Sequence, residues 1–161
     1  MDNRPLLIFA VLLGIALVLT QCSAYADESS RNPLQLTENQ AVMIYAAAYG
    51  DMKYIPEQAP TVRVTTKEVL REVCKCGYPN VKGAYLEGTV YIDGELDFGD
   101  PLNVSILYHE FIHYIQAMRD GPTHGCDMSM VRELEAYGLQ STFLWKHFQI
   151  RFQPPNLPTC I

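Results

Sequence analysis

Positive charge is in short supply in this chain: 12 Lys and Arg stand against 18 Asp and Glu, for a net charge of −6. The basic residues form no stripe and do not interleave with aromatics, which excludes nucleic acid as a partner. There is no internal repeat and no low-complexity tract, so repeat architectures drop out. The five cysteines include no Cys-x-x-Cys pair, and Cys74-Lys75-Cys76 lacks the paired spacing of a zinc ribbon. No apolar run is long enough to cross about 30 Å of hydrocarbon comfortably; the longest covers the 14 residues from Leu6 to Leu19. Histidine is scarce too, with four in all, and two of those lie within one pentapeptide.

The apolar run follows Arg4 and precedes Ala24-Tyr25-Ala26, an A-x-A cleavage signal, so residues 1–26 read as a secretory signal peptide. Asp2 offsets Arg4 and weakens the leading charge, which keeps an uncleaved anchor as the alternative. Leu19-Thr20-Gln21-Cys22 resembles a bacterial lipoprotein box, with Gln21 where a small residue belongs. Lipidation at Cys22 or an uncleaved signal are the two routes to a membrane. Cleavage after Ala26 leaves the 135 residues from Asp27 to Ile161, enough for one domain with a single core. The expected location is extracytoplasmic, periplasmic or secreted. There the remaining Cys74, Cys76, Cys126 and Cys160 favour two disulfides. Cys74 and Cys76 are too close to pair comfortably, so each is expected to bridge to one of Cys126 and Cys160; a cysteine metal cluster is the competing reading.

Residues 27–36 are polar and contain Asn32-Pro33, and read as a flexible lead-in to a single domain over 37–161. Thr37-Glu38-Asn39-Gln40 is a capping box opening a helix over about 37–49, with Gly50 as its stop. Thr61 to Thr65 alternates as a strand, and 66–74 follows as a helix with Val69, Leu70 and Val73 inward. Residues 84–86 and 89–92, joined by Glu87-Gly88, read as a tight hairpin. Asp100-Pro101 caps and opens a helix to about Arg119, ended by Asp120-Gly121-Pro122 and apolar on nearly every side, hence buried. A last helix over about 129–148, capped by Asp127 or Ser129, supplies Leu134, Tyr137, Phe143, Leu144 and Trp145 to the core; an extended tail over 153–158 follows. The fold class is α+β: a small twisted sheet or hairpin packed on a buried helix and a second helix bearing glutamates.

The buried helix carries His109-Glu110-Phe111-Ile112-His113. Residues i and i+4 lie one above the other, so both imidazoles project from one face and can close on one metal ion. Glu110 sits one step round, near enough to meet a water on that metal without taking a coordination position. With 4 His and 10 Glu in 161 residues, chance gives about 0.006 occurrences of the pattern. The spacing is that of a zinc hydrolase; the competing reading is two satisfied core histidines. At about 100° per residue, Leu102, Ile106, His109, Glu110, His113 and Ala117 share one sector.

A catalytic zinc needs a third protein ligand and an open position. Metzincins supply a histidine six residues beyond the second, with a glycine between; those positions here are Arg119 and Gln116, so that pattern fails. Arg132-Glu133-Leu134-Glu135-Ala136-Tyr137 resembles the gluzincin arrangement instead, in which a glutamate on a following helix completes the site. Glu133-Leu134-Glu135-Ala136 matches its E-x-x-A form; the E-x-x-x-D form fails at Tyr137, so the carboxylate expected to orient a metal-bound histidine is not assigned. The resemblance covers residues from about 84 to 145 and implies a zincin-like catalytic domain with Zn²⁺ held by His109, His113 and Glu133. Glu135, about 200° round the helix from Glu133, is the alternative ligand; Glu133 is preferred because it shares a face with Ala136, Tyr137 and Gln140.

The activity this implies is zinc-dependent hydrolysis of peptide or protein substrates, with Glu110 as the catalytic base toward a metal-activated water. Tyr137, His124 and Tyr85 are candidates for stabilising the oxyanion, and His147 complements a helix C-terminus. Residues 84–92 either pair with an extended substrate or serve as hairpin core. Two alternatives are a catalytically silent zinc-binding domain and a disulfide-stapled extracytoplasmic binding module. Oligomeric state is left open.

Overall fold

The computed structural model describes residues 33–74 and 80–157. The expected signal peptide with Cys22, residues 27–32 of the lead-in, and Cys76 and Cys160 lie outside the described residues. The elements in chain order are α1 (Glu38–Met52), β1 (Thr61–Thr65), α2 (Lys67–Cys74), β2 (Gly83–Leu86), β3 (Thr89–Asp93), α3 (Pro101–Asp120) and α4 (Gly125–Phe148). Among the described residues this is an α+β arrangement of four helices and one small three-stranded sheet.

The hairpin forms where the sequence places it. Glu87 and Gly88 both take positive φ, 46° and 82°, which is what a two-residue turn matching strand twist requires, and Leu86 faces Thr89 across it. β1 joins as a third strand, parallel to β3, so the sheet order is β1-β3-β2 with β3 in the centre. Strand alternation puts Val90 and Ile92 on one face together with Gly83, Tyr85 and Val62. That face meets α3: Val90 and Ile92 are fully buried, and Tyr85 packs edge-on against Tyr114. α2 also packs on β2 and β3, burying Leu70, while Val69 and Val73 are half-buried.

α1 opens on the expected capping box: Gln40 N–H donates to Thr37 Oγ1 at 3.2 Å, and Thr37 N–H donates to Gln40 Oε1 at 3.0 Å. Gly50 does not stop it. The buried stripe Ile44, Ala48, Met52 carries the helix two residues further, and Lys53 takes the left-handed cap at φ 51°. A glycine inside a helix costs about 1 kcal/mol relative to alanine, and burial of Met52 offsets it. Of the lead-in, Leu34 is held at both backbone groups: its N–H donates to Asp97 Oδ1 and its carbonyl accepts from Phe98 N–H, each at 2.8 Å.

α3 lies between α1, α4 and the sheet. Asp100 Oδ1 accepts from Leu102 N–H at 2.9 Å, Pro101 fills the first position, and Gly121 closes the helix at φ 79°. Tyr108 stacks on Phe143 of α4 at 4.3 Å, and Phe111 and Tyr114 meet Tyr45 of α1 edge-on.

α4 starts four residues before the sequence expectation, at Gly125. Neither Asp127 nor Ser129 caps it; His124 stands at the cap position and makes no side-chain cap bond. The early start follows from Arg132, whose guanidinium reaches back to Gly121 O at 2.7 Å and Thr123 Oγ1 at 2.5 Å and keeps the α3–α4 connection short. Leu134 and Trp145, expected in the core, are 60% and 48% exposed. The face turned to α3 is Arg132, Ala136, Gln140, Phe143 and Leu144, and Leu134, two residues from both Arg132 and Ala136, points away from it. Neither Cys74, ending α2, nor Cys126, in the first turn of α4, is a free thiol; of the four cysteines expected to pair, Cys76 and Cys160 lie outside the described residues.

Candidate metal centre

α3 supplies two imidazoles one turn apart and α4 brings a carboxylate to meet them. His109 Nε2 and His113 Nε2 are 3.0 Å apart. Glu133 Oε2 lies 3.3 Å from the first and its Oε1 3.1 Å from the second. These three side chains form a group that could hold a metal ion. Ala136, fully buried one turn after Glu133, is the small residue that lets the helices approach at this level.

The protonation of both rings follows from the amides behind them. Gln116 Nε2 donates to Arg132 O and to Glu135 Oε2, each at 2.9 Å. Both partners are acceptors only, so the oxygen of Gln116 must be the atom 2.9 Å from His113 Nδ1, and Nδ1 must carry the proton. The same logic holds for His109. Ser105 Oγ donates to Leu102 O, so it accepts from Gln140 Nε2 at 2.8 Å, which turns Gln140 Oε1 toward His109 Nδ1 at 3.1 Å. In its neutral form each ring therefore turns an Nε2 lone pair toward the other histidine and Glu133, and a proton added to either ring goes on that nitrogen. Three acceptors so close repel one another unless a cation or a proton lies among them.

The electrostatics agree. Burial works against a charge on His113, yet the bond to Glu133 and the nearby Glu110 and Glu133 carboxylates push its pKa up to about 9. Glu133 is held well below the usual carboxylate range: burial acts to raise it, but hydrogen bonds from the two histidines dominate. Glu110, buried at 7% exposure, is shifted the other way by desolvation, with the histidines opposing.

Glu110 rests against the sheet. A Cβ added at Gly83 would stand 2.8 Å from Glu110 Cγ and 2.9 Å from its Oε1. Only a glycine at this point of β2 lets the carboxylate occupy its place.

No family model, curated protein or solved structure matches the chain. The site therefore stands on its own geometry.

Of the other residues singled out by the sequence, Glu135 is not part of the group formed by His109, His113 and Glu133. Arg119 grips it through a two-point fork, NH1 to Oε1 at 3.1 Å and NH2 to Oε2 at 3.0 Å, and Gln116 binds it from the other side. Arg119 and Gln116 occupy the positions where the metzincin pattern fails, and both pin α3 to α4. Tyr137 is brought to the group, its ring centroid 4.4 Å from that of His109. Tyr85 is engaged elsewhere, its hydroxyl accepting from Gly88 N–H in the hairpin turn. His124 is exposed at the start of α4, where its N–H donates to Met128 Sδ. Gln116, Gln140 and Gly83 touch the side chains of this group, and the sequence reading assigned none of them a part in it. A glutamine behind a histidine has no spacing rule, though Gln140 on the Glu133 face was a visible hint.

Proposed function

We propose that this protein is a zinc-dependent peptidase of the gluzincin kind, with a zincin-like arrangement of sheet, motif helix and glutamate helix. The observation carrying this reading is the convergence of two imidazole Nε2 atoms, 3.0 Å apart, on a carboxylate that sets Oε2 at 3.3 Å from the first and Oε1 at 3.1 Å from the second. A tetrahedron with the arms of about 2.0–2.1 Å usual for zinc has edges of roughly 3.3 Å, so the pair of imidazole nitrogens is compatible with two corners of such a site, and the carboxylate is near enough to supply a third. The donor set of two imidazoles and one carboxylate is that of catalytic rather than structural zinc, leaving one position open. Bound there, zinc would supply a Lewis acid that polarises a carbonyl and brings the pKa of its water to about 7.

The chain's own residues do the rest. Glu110, buried beside the histidines and braced on Gly83, takes the proton of the attacking water and passes it to the leaving amine. Tyr137, against His109, is the remaining candidate for stabilising the oxyanion. β2 is an outer strand and touches Glu110 through Gly83, so it offers an extended peptide a backbone to pair with beside the base. Residues 1–26 would direct the protein out of the cytoplasm, where two disulfides would brace the domain.

The test is a Glu110→Gln variant assayed against a peptide library. It is expected to keep its zinc and to lose about 10²- to 10⁴-fold in turnover. Cleavage at the wild-type rate would sink the proposal.

A further inference from the structure

We propose that Gln116 and Gln140 are the positioning residues of this centre, each fixing one histidine by accepting a hydrogen bond from its Nδ1–H, and that Glu135 acts on the metal only through Gln116. The inference rests on the metal-centre reading and goes beyond it, because it assigns the ligands' orientation to two neutral amides in place of the carboxylates common behind metal-bound histidines.

The geometry makes the two arms independent. On one side Arg119 holds Glu135, Glu135 Oε2 accepts from Gln116 Nε2 at 2.9 Å, and Gln116 Oε1 accepts from His113 Nδ1 at 2.9 Å. On the other, Leu102 O accepts from Ser105, Ser105 accepts from Gln140 Nε2 at 2.8 Å, and Gln140 Oε1 accepts from His109 Nδ1 at 3.1 Å. Gln116 and Gln140 are both buried, at 0% and 4% exposure, so no water readily replaces either amide oxygen. Remove one, and its histidine can turn or carry its proton on Nε2, the atom the metal needs. A neutral amide also withdraws less of the Nδ1 proton than a carboxylate would, so the histidines are weaker donors than this backbone could make them.

The experiment is zinc affinity by chelator competition, with the visible spectrum of the Co²⁺-loaded protein, on the full folded domain. Gln116→Leu and Gln140→Leu are each expected to lose about 10- to 100-fold in zinc affinity and to alter the Co²⁺ spectrum. Gln140→Glu is expected to bind zinc more tightly than wild type. The new carboxylate can accept from His109 Nδ1, and Ser105 can turn its hydroxyl from Leu102 O to it. Gln116→Glu is expected to bring no such gain, since it would face Glu135 across the 2.9 Å contact. Glu135→Leu should weaken binding in the wild-type background and add nothing in the Gln116→Leu background. A purely packing role predicts loss in every variant, so the rise in Gln140→Glu is the discriminating result and survives even if a leucine variant fails to fold. Folded leucine variants that bind zinc as wild type does, or a Gln140→Glu variant without a gain, would overturn the assignment. Wild-type protein that binds no zinc would instead overturn the metal-centre reading beneath it.

Discussion

Gly83→Ala is a single-methyl change on a strand, yet it is expected to disable the base while sparing the metal ligands. The backbone is not the obstacle, because Gly83 does not occupy the left-handed region and alanine takes strand dihedrals without steric strain. The obstacle is Glu110: the added carbon would stand 2.8 Å from its Cγ, 2.9 Å from its Oε1 and 3.1 Å from Ile106 Cγ2. That is roughly half an ångström short of ordinary contact, on the repulsive wall of the potential. Glu110 cannot swing away cheaply, since it is 7% exposed on a helix packed on three sides. The strain is shared between a shift of the carboxylate and a parting of β2 from α3. Overpacking of this kind costs about 1–3 kcal/mol, and a misplacement approaching 1 Å costs about 10²-fold in rate. The assay compares zinc affinity, urea-unfolding stability and peptide cleavage in parallel. Zinc affinity is expected within about twofold of wild type, since Glu110 is not a ligand, while stability falls by that amount and kcat/KM drops steeply. Full activity in a folded Gly83→Ala protein would refute the placement of Glu110 against β2.

Two further changes probe the helix pair. Ala136→Leu forces a large side chain into the fully buried contact between α3 and α4, so it is expected to cost about 1–3 kcal/mol and to weaken zinc binding by drawing Glu133 away from the histidines; unchanged affinity by chelator competition would count against that role. Arg119→Met should flatten the acid limb of stability: Arg119 holds Glu135 and Asp120 below the ordinary carboxylate range, so the folded chain binds fewer protons than the unfolded one. Their contribution is present above the ordinary values and is lost as pH falls through the lowered ones. With the pair about one-third exposed, it amounts to less than about 1 kcal/mol; urea midpoints at pH 6 and pH 3 check it, and an equal loss in variant and wild type would contradict it.

What was legible beforehand was whatever a local rule writes into adjacent residues. Asp100-Pro101 and Gly121 bounded α3, Glu87-Gly88 closed the hairpin, and Thr37 with Gln40 capped α1, because each is short-range backbone chemistry. The histidine pair was readable because four residues make one turn; Glu133 came from the resemblance to gluzincins, with helix periodicity deciding only between it and Glu135. What escaped was set by contacts distant in sequence. The start of α4 depends on Arg132 reaching back to the loop, and Gly50 is carried through by burial of Met52. Trp145 and Leu134 look like core by composition and are exposed, whereas Arg132 and Gln140 look like surface and are buried. The amides behind the histidines belong to this last class, since a buried polar residue shows its purpose only once its partner is placed.

The most direct measurement of the central claim is the metal content of the purified protein and of four alanine variants. The expected result is one equivalent of zinc in wild type, lost in His109→Ala, His113→Ala and Glu133→Ala, and retained, though held more weakly, in Glu135→Ala. Wild-type protein without metal, or a Glu135→Ala variant as empty as Glu133→Ala, would contradict the account.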